Sequence, residues 1–152
     1  MRTFYQNAGA VCKGRTSAEN SRIRYFGRYL INNSNTTASL MTCNLMTDFT
    51  SVPTPAGSNK RVGSAGLWLR NTTAAPVDVT CTFISGFQTS SDSVSITKTT
   101  TVPNDGVQYL VQILPSDNAG AYYQAPINVE CTLPPKIEIN DTVVYYFEDV
   151  GA

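Results

Sequence analysis

Val77, Val79, Cys81 and Phe83 alternate with Asp78, Thr80 and Thr82, and Ile127, Val129, Cys131 and Leu133 alternate in the same way with Asn128, Glu130 and Thr132. A period of two sends successive side chains to opposite faces of an extended chain, so both segments read as half-buried strands. The same period recurs along the sequence, and no stretch sustains an apolar stripe of helical period. Strands are predicted over Arg22–Asn32, Ser39–Met46, Gly66–Asn71, Val77–Ile84, Ser93–Val102, Gln108–Leu114, Ile127–Leu133 and Lys136–Phe147, with a short one near Ala8–Lys13. Between them lie segments whose Pro, Gly, Asn and Asp content makes turns: Asn32–Thr37, Asn71–Pro76, Pro103–Gly106 and Pro115–Gly120. Eight or nine strands in one sheet would leave an apolar face in water, whereas two packed sheets cover both inner faces. The expected fold is all-β: one domain over residues 1–152, a two-sheet β-sandwich of Ig-like or jelly-roll-like type.

Three places depart from simple alternation. Trp68 sits between Leu67 and Leu69, so if the leucines face the core the lone tryptophan faces outward. Tyr122 and Tyr123 are adjacent and cannot both face inward from one strand. Either one is exposed as an aromatic platform for a sugar ring or a partner protein, or the pair caps the open end of the sandwich. In the last strand Val143, Tyr145 and Phe147 share one face and Val144 and Tyr146 the other. Such a strand is apolar on both sides, and its outer face should be covered. Two connectors, Thr47–Ser64 and Pro115–Pro126, are long, which is where recognition usually sits on a rigid sandwich.

Four cysteines and no C-x-x-C in a weakly charged, Ser/Thr-rich chain point to two disulfides made in an oxidising compartment. Three connectivities are open. The alternation turns Cys81 and Cys131 to the core side of two strands, which pairs them across the inner surfaces of the two layers and leaves Cys12 with Cys43. Each bridge is expected to contribute about 2–4 kcal/mol. Met1–Asn7 lacks the apolar run of a signal peptide, so an excised leader is expected, because the disulfides require export. No segment approaches the length of a membrane span.

Composition narrows the chemistry. The chain has 19 Thr, 13 Ser and 12 Asn, so hydroxyls and amides supply solubility in place of charge, which is only 14%. The absence of histidine excludes Ser-His-Asp and Cys-His catalysis and a histidine metal site. A glycosidase-type carboxylate pair needs no histidine, but Asp48, Asp92, Asp105, Asp117 and the Glu148-Asp149 pair stand in no motif that fixes a separation or raises a pKa. Calcium-loop and phosphate-loop patterns are absent. The chain is read as non-enzymatic and without cofactor. Net charge is zero, which gives no field for nucleic acid. Its distribution is uneven. Residues 1–30 carry six cations against Glu19, whereas from Asp117 onward six carboxylates face Lys136. Either the first and last strands lie side by side, or one subunit's basic end meets another's acidic end in a contact that propagates into a fibre. Asn-x-Ser/Thr sequons begin at Asn32, Asn35, Asn71 and Asn140, a weak pattern in so Asn- and Thr-rich a chain.

The order of Cys12, the Asn32-Asn33-Ser34 turn, Cys43-Asn44-Leu45, Val77-x-Val79-x-Cys81-x-Phe83, Cys131-Thr132-Leu133-Pro134-Pro135 and a last strand with Tyr145, Tyr146 and Glu148 resembles a loose group of small secreted bacterial proteins of unknown function. The likeness runs from Cys12 to Glu148 and implies an exported domain with paired cysteines. It supplies no site residues, and the missing leader departs from the precursor it implies.

Two functions are expected. The first is a secreted structural protein that associates with copies of itself at a cell surface or in an extracellular filament, with Thr3-Phe4-Tyr5 added as a strand to a neighbour's sheet edge. The second is a module that binds a glycan or protein through Trp68, Tyr122 and Tyr123.

Overall fold

The computed structural model describes residues 2–45, 61–86 and 93–147. Their strands are β1 (Arg2–Asn7), β2 (Cys12–Gly14), β3 (Ile23–Tyr25), β4 (Leu30–Asn32), β5 (Ser39–Leu45), β6 (Arg61–Asn71), β7 (Val77–Ser85), β8 (Val94–Val102), β9 (Gln108–Ile113), β10 (Ile127–Leu133) and β11 (Ile137–Phe147). They form two antiparallel sheets, a six-stranded one ordered β3-β4-β11-β6-β9 with β1 also on β11, and a five-stranded one ordered β2-β5-β10-β7-β8. The two-sheet sandwich read from the alternation is the fold. From β4 to β7 and again from β8 to β11 the chain changes sheet at each step, the pattern of a jelly roll rather than of an Ig domain.

The inner faces carry the predicted alternation. β10 reads buried at Ile127, Val129, Cys131 and Leu133, β7 at Val79, Cys81 and Phe83, and β6 at Leu67 and Leu69. Burying a side chain such as Phe83 contributes roughly 1.5–3 kcal/mol relative to exposure. Several boundaries differ from expectation. The predicted strand Arg22–Asn32 is a hairpin, β3 and β4, closed where the Phe26 N–H donates to the Tyr29 carbonyl at 2.8 Å. Arg61–Ser64, expected in a connector, opens β6. The short strand expected near Ala8–Lys13 is a single helical turn, α1 (Ala8–Val11), followed by β2. A second turn, α2 (Ser17–Asn20), is started by a capping box in which Thr16 and Glu19 exchange side-chain and backbone bonds.

Both disulfides have the expected partners, Cys12–Cys43 and Cys81–Cys131. Their placement corrects the expectation of a bridge between layers. Cys131 lies directly opposite Cys81 on neighbouring strands β10 and β7, and Cys12 opposite Cys43 on β2 and β5. Both bonds staple the five-stranded sheet to itself. Alternation shows which face a cysteine takes, but not which strand lies beside it.

The two layers are tied instead by paired asparagines flanking β11. Asn32, at the end of β4, donates from Nδ2 to the Leu133 carbonyl of β10 and to the Thr37 carbonyl, both at 2.9 Å. Asn71, at the end of β6, donates to the Val102 carbonyl of β8 at 2.9 Å and to the Ala75 carbonyl at 2.7 Å. Each side-chain oxygen accepts the N–H two residues on, Ser34 or Thr73, forming an Asx turn. Edge strand β8 turns Lys98 to the inner side, opposite Cys81, where it forms an ion pair with Asp117. An inward charge of this kind discourages pairing with a foreign strand.

Candidate functional site

β1 pairs along the lower half of β11, with Phe4 opposite Val144 and Tyr5 opposite Val143. The first and last strands therefore do lie side by side, as one of the two charge readings expects. The Thr3-Phe4-Tyr5 strand is paired within its own chain, which corrects the expectation that it serves a neighbour's edge. Phe4 packs against the core, while Tyr5 projects from the opposite side and is 57% exposed.

That opposite side, the outer face of the six-stranded sheet, gathers several partly exposed aromatic rings. Leu67 and Leu69 are fully buried, which sends Trp68 outward to a half-buried position. On β11 the inward residues are Val144 and Tyr146, and Tyr145 and Phe147 point outward. The Tyr5 hydroxyl, a hydrogen-bonding neighbour, pushes the pKa of Tyr145 above its ordinary value, with burial adding to the effect. Phe147 extends the row to Tyr122, which meets it edge-on at 5.3 Å between ring centres. The Arg61 guanidinium stands over the Tyr122 ring at 5.7 Å.

Two glycines of β6 shape this face. A Cβ on Gly63, the extra residue where β6 bulges against Tyr145 and Tyr146, would stand 3.0 Å from the Phe147 ring. A Cβ on Gly66 would stand 2.7 Å from the Val111 carbonyl oxygen and 2.8 Å from the Leu110 side chain. Both glycines let side chains of flanking strands lie down over β6, so the aromatic row borders a smooth strip rather than a ridge. Beside Trp68, β11 carries a second bulge at Asn140 and Asp141, and the Asn140 side-chain oxygen is buried without a hydrogen-bond partner. Above it Arg70 makes a two-pronged bond to Glu138 at 2.8 and 3.1 Å. That bond holds the guanidinium pKa above its ordinary value, and Tyr29 lies close enough to add to the effect. The strip thus offers aromatic faces, a fixed ion pair and amides within one sheet.

The five predicted recognition residues divide. Tyr5 and Trp68 share this face, and Tyr122 joins its end through Phe147. Phe4 and Tyr123 belong to the core. Tyr123 is 2% exposed, exchanges backbone hydrogen bonds with Val62, and donates its hydroxyl to the Leu114 carbonyl at 2.7 Å. Burial, reinforced by the charge of Asp117, pushes its pKa up to about 12. Of the two adjacent tyrosines, then, one is exposed and one buried. Tyr145 and Phe147 are further members of the row. That they share one face was readable, but not that this face is the outer one, nor which strands lie beside it.

The sequons divide as well. Asn32 and Asn71 bury the amide nitrogen to which a sugar would attach and use both of its hydrogens, which removes them as glycosylation candidates. Asn35 is exposed, and Asn140 lies at the β11 bulge. Asp105 and Asp117 are turn aspartates: each accepts a nearby backbone N–H, and their further partners are the Tyr109 hydroxyl and Lys98 respectively. Asp48, Asp92, Glu148, Asp149 and the Thr47–Lys60 part of the long connector lie outside the described residues. Among the described residues no group of three or more His, Cys, Asp or Glu is placed to hold a metal, and no helix is long and apolar enough to cross a membrane.

No protein-family model matches the sequence, and no curated protein matches it. Among solved structures the chain is similar to an exo-β-1,3-galactanase from Phanerochaete chrysosporium crystallised with galactose, with a TM-score of 0.50 and 13% identity over 95% of this chain and 30% of that one. It is less similar to a GH26-CBM35 β-(1,4)-mannanase of Podospora anserina, with a TM-score of 0.41 and 9% identity over 98% of this chain and 28% of that one. The module TmCBM61, in complex with β-1,4-galactotriose, gives a TM-score of 0.37 and 8% identity over 97% of this chain and 88% of that one. The chain thus spans less than a third of each of the first two structures, and at these identities the first likeness is one of fold.

Proposed function

We propose that this protein is an exported, non-catalytic module that binds carbohydrate along the outer face of its six-stranded sheet. The observation that carries the reading is the row of outward aromatics, Trp68, Tyr5, Tyr145, Phe147 and Tyr122, on strands whose glycines keep the face smooth. A sugar ring has an apolar face of C–H groups and an equatorial rim of hydroxyls. Flat aromatic faces match the first, and fixed amides and charges match the second. The two disulfides support export. The fold shared with part of a galactanase crystallised with galactose is in keeping with the reading, although it does not carry it.

Self-association into a filament has less support. Its proposed donor strand is engaged in its own sheet, and β8 carries an inward lysine at the edge where a neighbour's strand would add. What remains in its favour is the charge asymmetry, which the adjacency of β1 and β11 already accommodates.

The test is binding to a panel of insoluble and soluble neutral polysaccharides, with reducing-end release measured in parallel. Wild type should bind at least one member without releasing sugar. Trp68→Ala should weaken that binding about tenfold or more, as loss of a central aromatic anchor does. Binding that survives Trp68→Ala and Tyr145→Ala together, or catalytic release of sugar, would overturn the proposal.

A further inference from the structure

The aromatic face ends at edge strand β3, and there its character changes. Two hollows flank this strand. One, of about 380 Å³, is lined by Arg22, Arg24, Asn33 and Ser34. The other, of about 500 Å³, lies towards β2 of the second sheet and is lined by Lys13, Arg15, Thr16, Asn20 and Tyr25. With Arg28 in the β3–β4 hairpin, Lys13, Arg15, Arg22, Arg24 and Arg28 gather around this edge strand of a molecule whose net charge is zero.

Almost none of this charge is neutralised internally. Of these five cations, only Arg15 stands within ion-pair distance of a carboxylate among the described residues, Glu130 at 3.8 Å. Glu19, the one acid in the stretch, is occupied by its own backbone. It accepts the Thr16 N–H at 3.0 Å and the Leu40 N–H at 3.1 Å. Burial pushes its pKa up, but the Thr16 and Leu40 hydrogen bonds, with Arg22 nearby, outweigh that and hold it below its ordinary value. Arg22 bonds to the Ser39 hydroxyl, a neutral acceptor. Arg24 stands 5.5 Å over the Phe26 ring, and Phe26 stacks on Tyr29 at 4.5 Å. Tyr29 in turn approaches Arg70, at the head of the Trp68 strip. Through this chain Arg24 continues the aromatic face, and the other cations lie beyond it around β3.

Like charges gathered at one edge repel one another, a cost that an anionic ligand relieves. Resting on the carbohydrate reading above, we infer that the ligand of this face is an anionic polysaccharide, whose carboxylate or sulfate groups lie over β3 while its rings run on towards Trp68. Guanidinium groups suit either anion through paired N–H donors. The side-chain amides of Asn20 and Asn33 and the Ser34 hydroxyl in the same hollows suit a hydroxyl-rich polymer better than a membrane or a nucleic acid.

The experiment measures affinity for polygalacturonate, dextran sulfate and a neutral galactan at low and at physiological salt. The variants are Lys13→Glu/Arg24→Glu/Arg28→Glu, its Lys13→Arg/Arg24→Lys/Arg28→Lys counterpart, and Trp68→Ala. None of the three cations donates to a protein acceptor among the described residues, and an unchanged melting curve verifies folding. At least one acidic polymer should bind tenfold or more tighter than the galactan at low salt and lose that advantage as salt rises. The charge-reversed variant should lose the advantage and keep the galactan affinity. The charge-conserving one should keep the galactan affinity and retain a salt-sensitive acidic preference, reduced because lysine keeps the charge but not the paired donors, and Trp68→Ala should weaken binding to every polymer. Preference for polygalacturonate over dextran sulfate, or the reverse, identifies the anion. Galactan bound as well as either acidic polymer overturns this inference alone, and so does a charge-reversed variant that retains its acidic preference. Binding to none of the three polymers and to no neutral glycan overturns the carbohydrate reading beneath it. A wild type that self-associates at low salt, and a charge-reversed form that does not, would assign the edge to a second copy and overturn the inference in that direction.

Discussion

Replacing Asn71 tests whether the layers are held together at asparagine corners. The side chain is 4% exposed and makes four hydrogen bonds: Nδ2 to the Val102 and Ala75 carbonyls, and Oδ1 from the Thr73 N–H and hydroxyl, the last two at 2.8 Å. Asn71→Ala removes all four. The Thr73 groups lie near the surface and recover water, but the Val102 carbonyl lies across the sandwich and loses a buried donor. A typical bond contributes about 1 kcal/mol net, and a buried polar group left without a partner costs about 1–3 kcal/mol. The expected loss is about 3 kcal/mol, a fall in melting temperature of roughly 6–12 °C for a domain of this size. Asn71→Asp keeps the shape but points a carboxylate at two carbonyl oxygens. It should cost more than the alanine at neutral pH and recover part of the loss once acidified, when the carboxyl can donate one hydrogen bond. Urea unfolding followed by circular dichroism and by the fluorescence of Trp68 measures both. The reasoning fails if Asn71→Ala costs under about 1 kcal/mol, within the range of an ordinary surface change. It fails equally if Asn71→Asp is the milder variant at neutral pH, or if mass spectrometry of the native protein finds a glycan on Asn71.

Two further outcomes follow from other contacts. The Asp117 carboxyl is held below its ordinary value of 3.8, first by its hydrogen bond with Lys98 and then by the Leu114 N–H, which outweigh burial. A group whose pKa is lowered by folding stabilises the fold above its unfolded pKa and loses that contribution as pH falls through the lowered value. Asp117→Asn should therefore be less stable than wild type at neutral pH, with the gap closing below about pH 4. Parallel urea titrations at descending pH check this, and a gap that stays constant would refute it. Gly66→Ala would place a methyl 2.7 Å from the Val111 carbonyl oxygen, a backbone atom that cannot rotate away. It should cost about 1–3 kcal/mol by overpacking and lift Leu110 from the strip. A neutral effect in thermal unfolding would show that the face is less tightly laid than described.

Much of the architecture was legible because alternation is a local property. β7 and β10 were readable as amphipathic strands, Trp68 as outward between two inward leucines, and Tyr122 with Tyr123 as a pair that cannot both face inward from one strand. The failures share one cause. Pairing in a sandwich joins residues far apart in sequence, and nothing in the spacing of Cys81 and Cys131 tells a bridge between layers from one between neighbours. Arg22–Asn32 read as one strand because Phe26-Gly27-Arg28 interrupts the polar alternation for only three residues, too short a signal against the aromatic residues around it. Arg61–Ser64 read as loop because it is polar and contains Gly63, whereas β11 supplies the partner that makes it strand.

The sequons show the same limit in another form. An Asn followed two positions later by Ser or Thr is a glycosylation pattern, and it is also the local pattern of an Asx turn, whose side-chain oxygen takes the N–H of that second residue. At Asn32 and Asn71 the turn uses the oxygen, and the opposite sheet takes the nitrogen. A short motif cannot separate the two, because the deciding atoms, the Leu133 and Val102 carbonyls, belong to β10 and β8. The aromatic face is subject to the same condition on a larger scale. Tyr5, Trp68, Tyr122 and Tyr145 come from four separate stretches of chain, and of these only Trp68 is recognisable by itself as an outward ring. They become one surface only because β1 and β6 flank β11, an order fixed by the packing of the inner faces. Core residues such as Val144 and Leu67 thus decide, through that order, which outer residues meet. Substituting them would disturb the site without touching it.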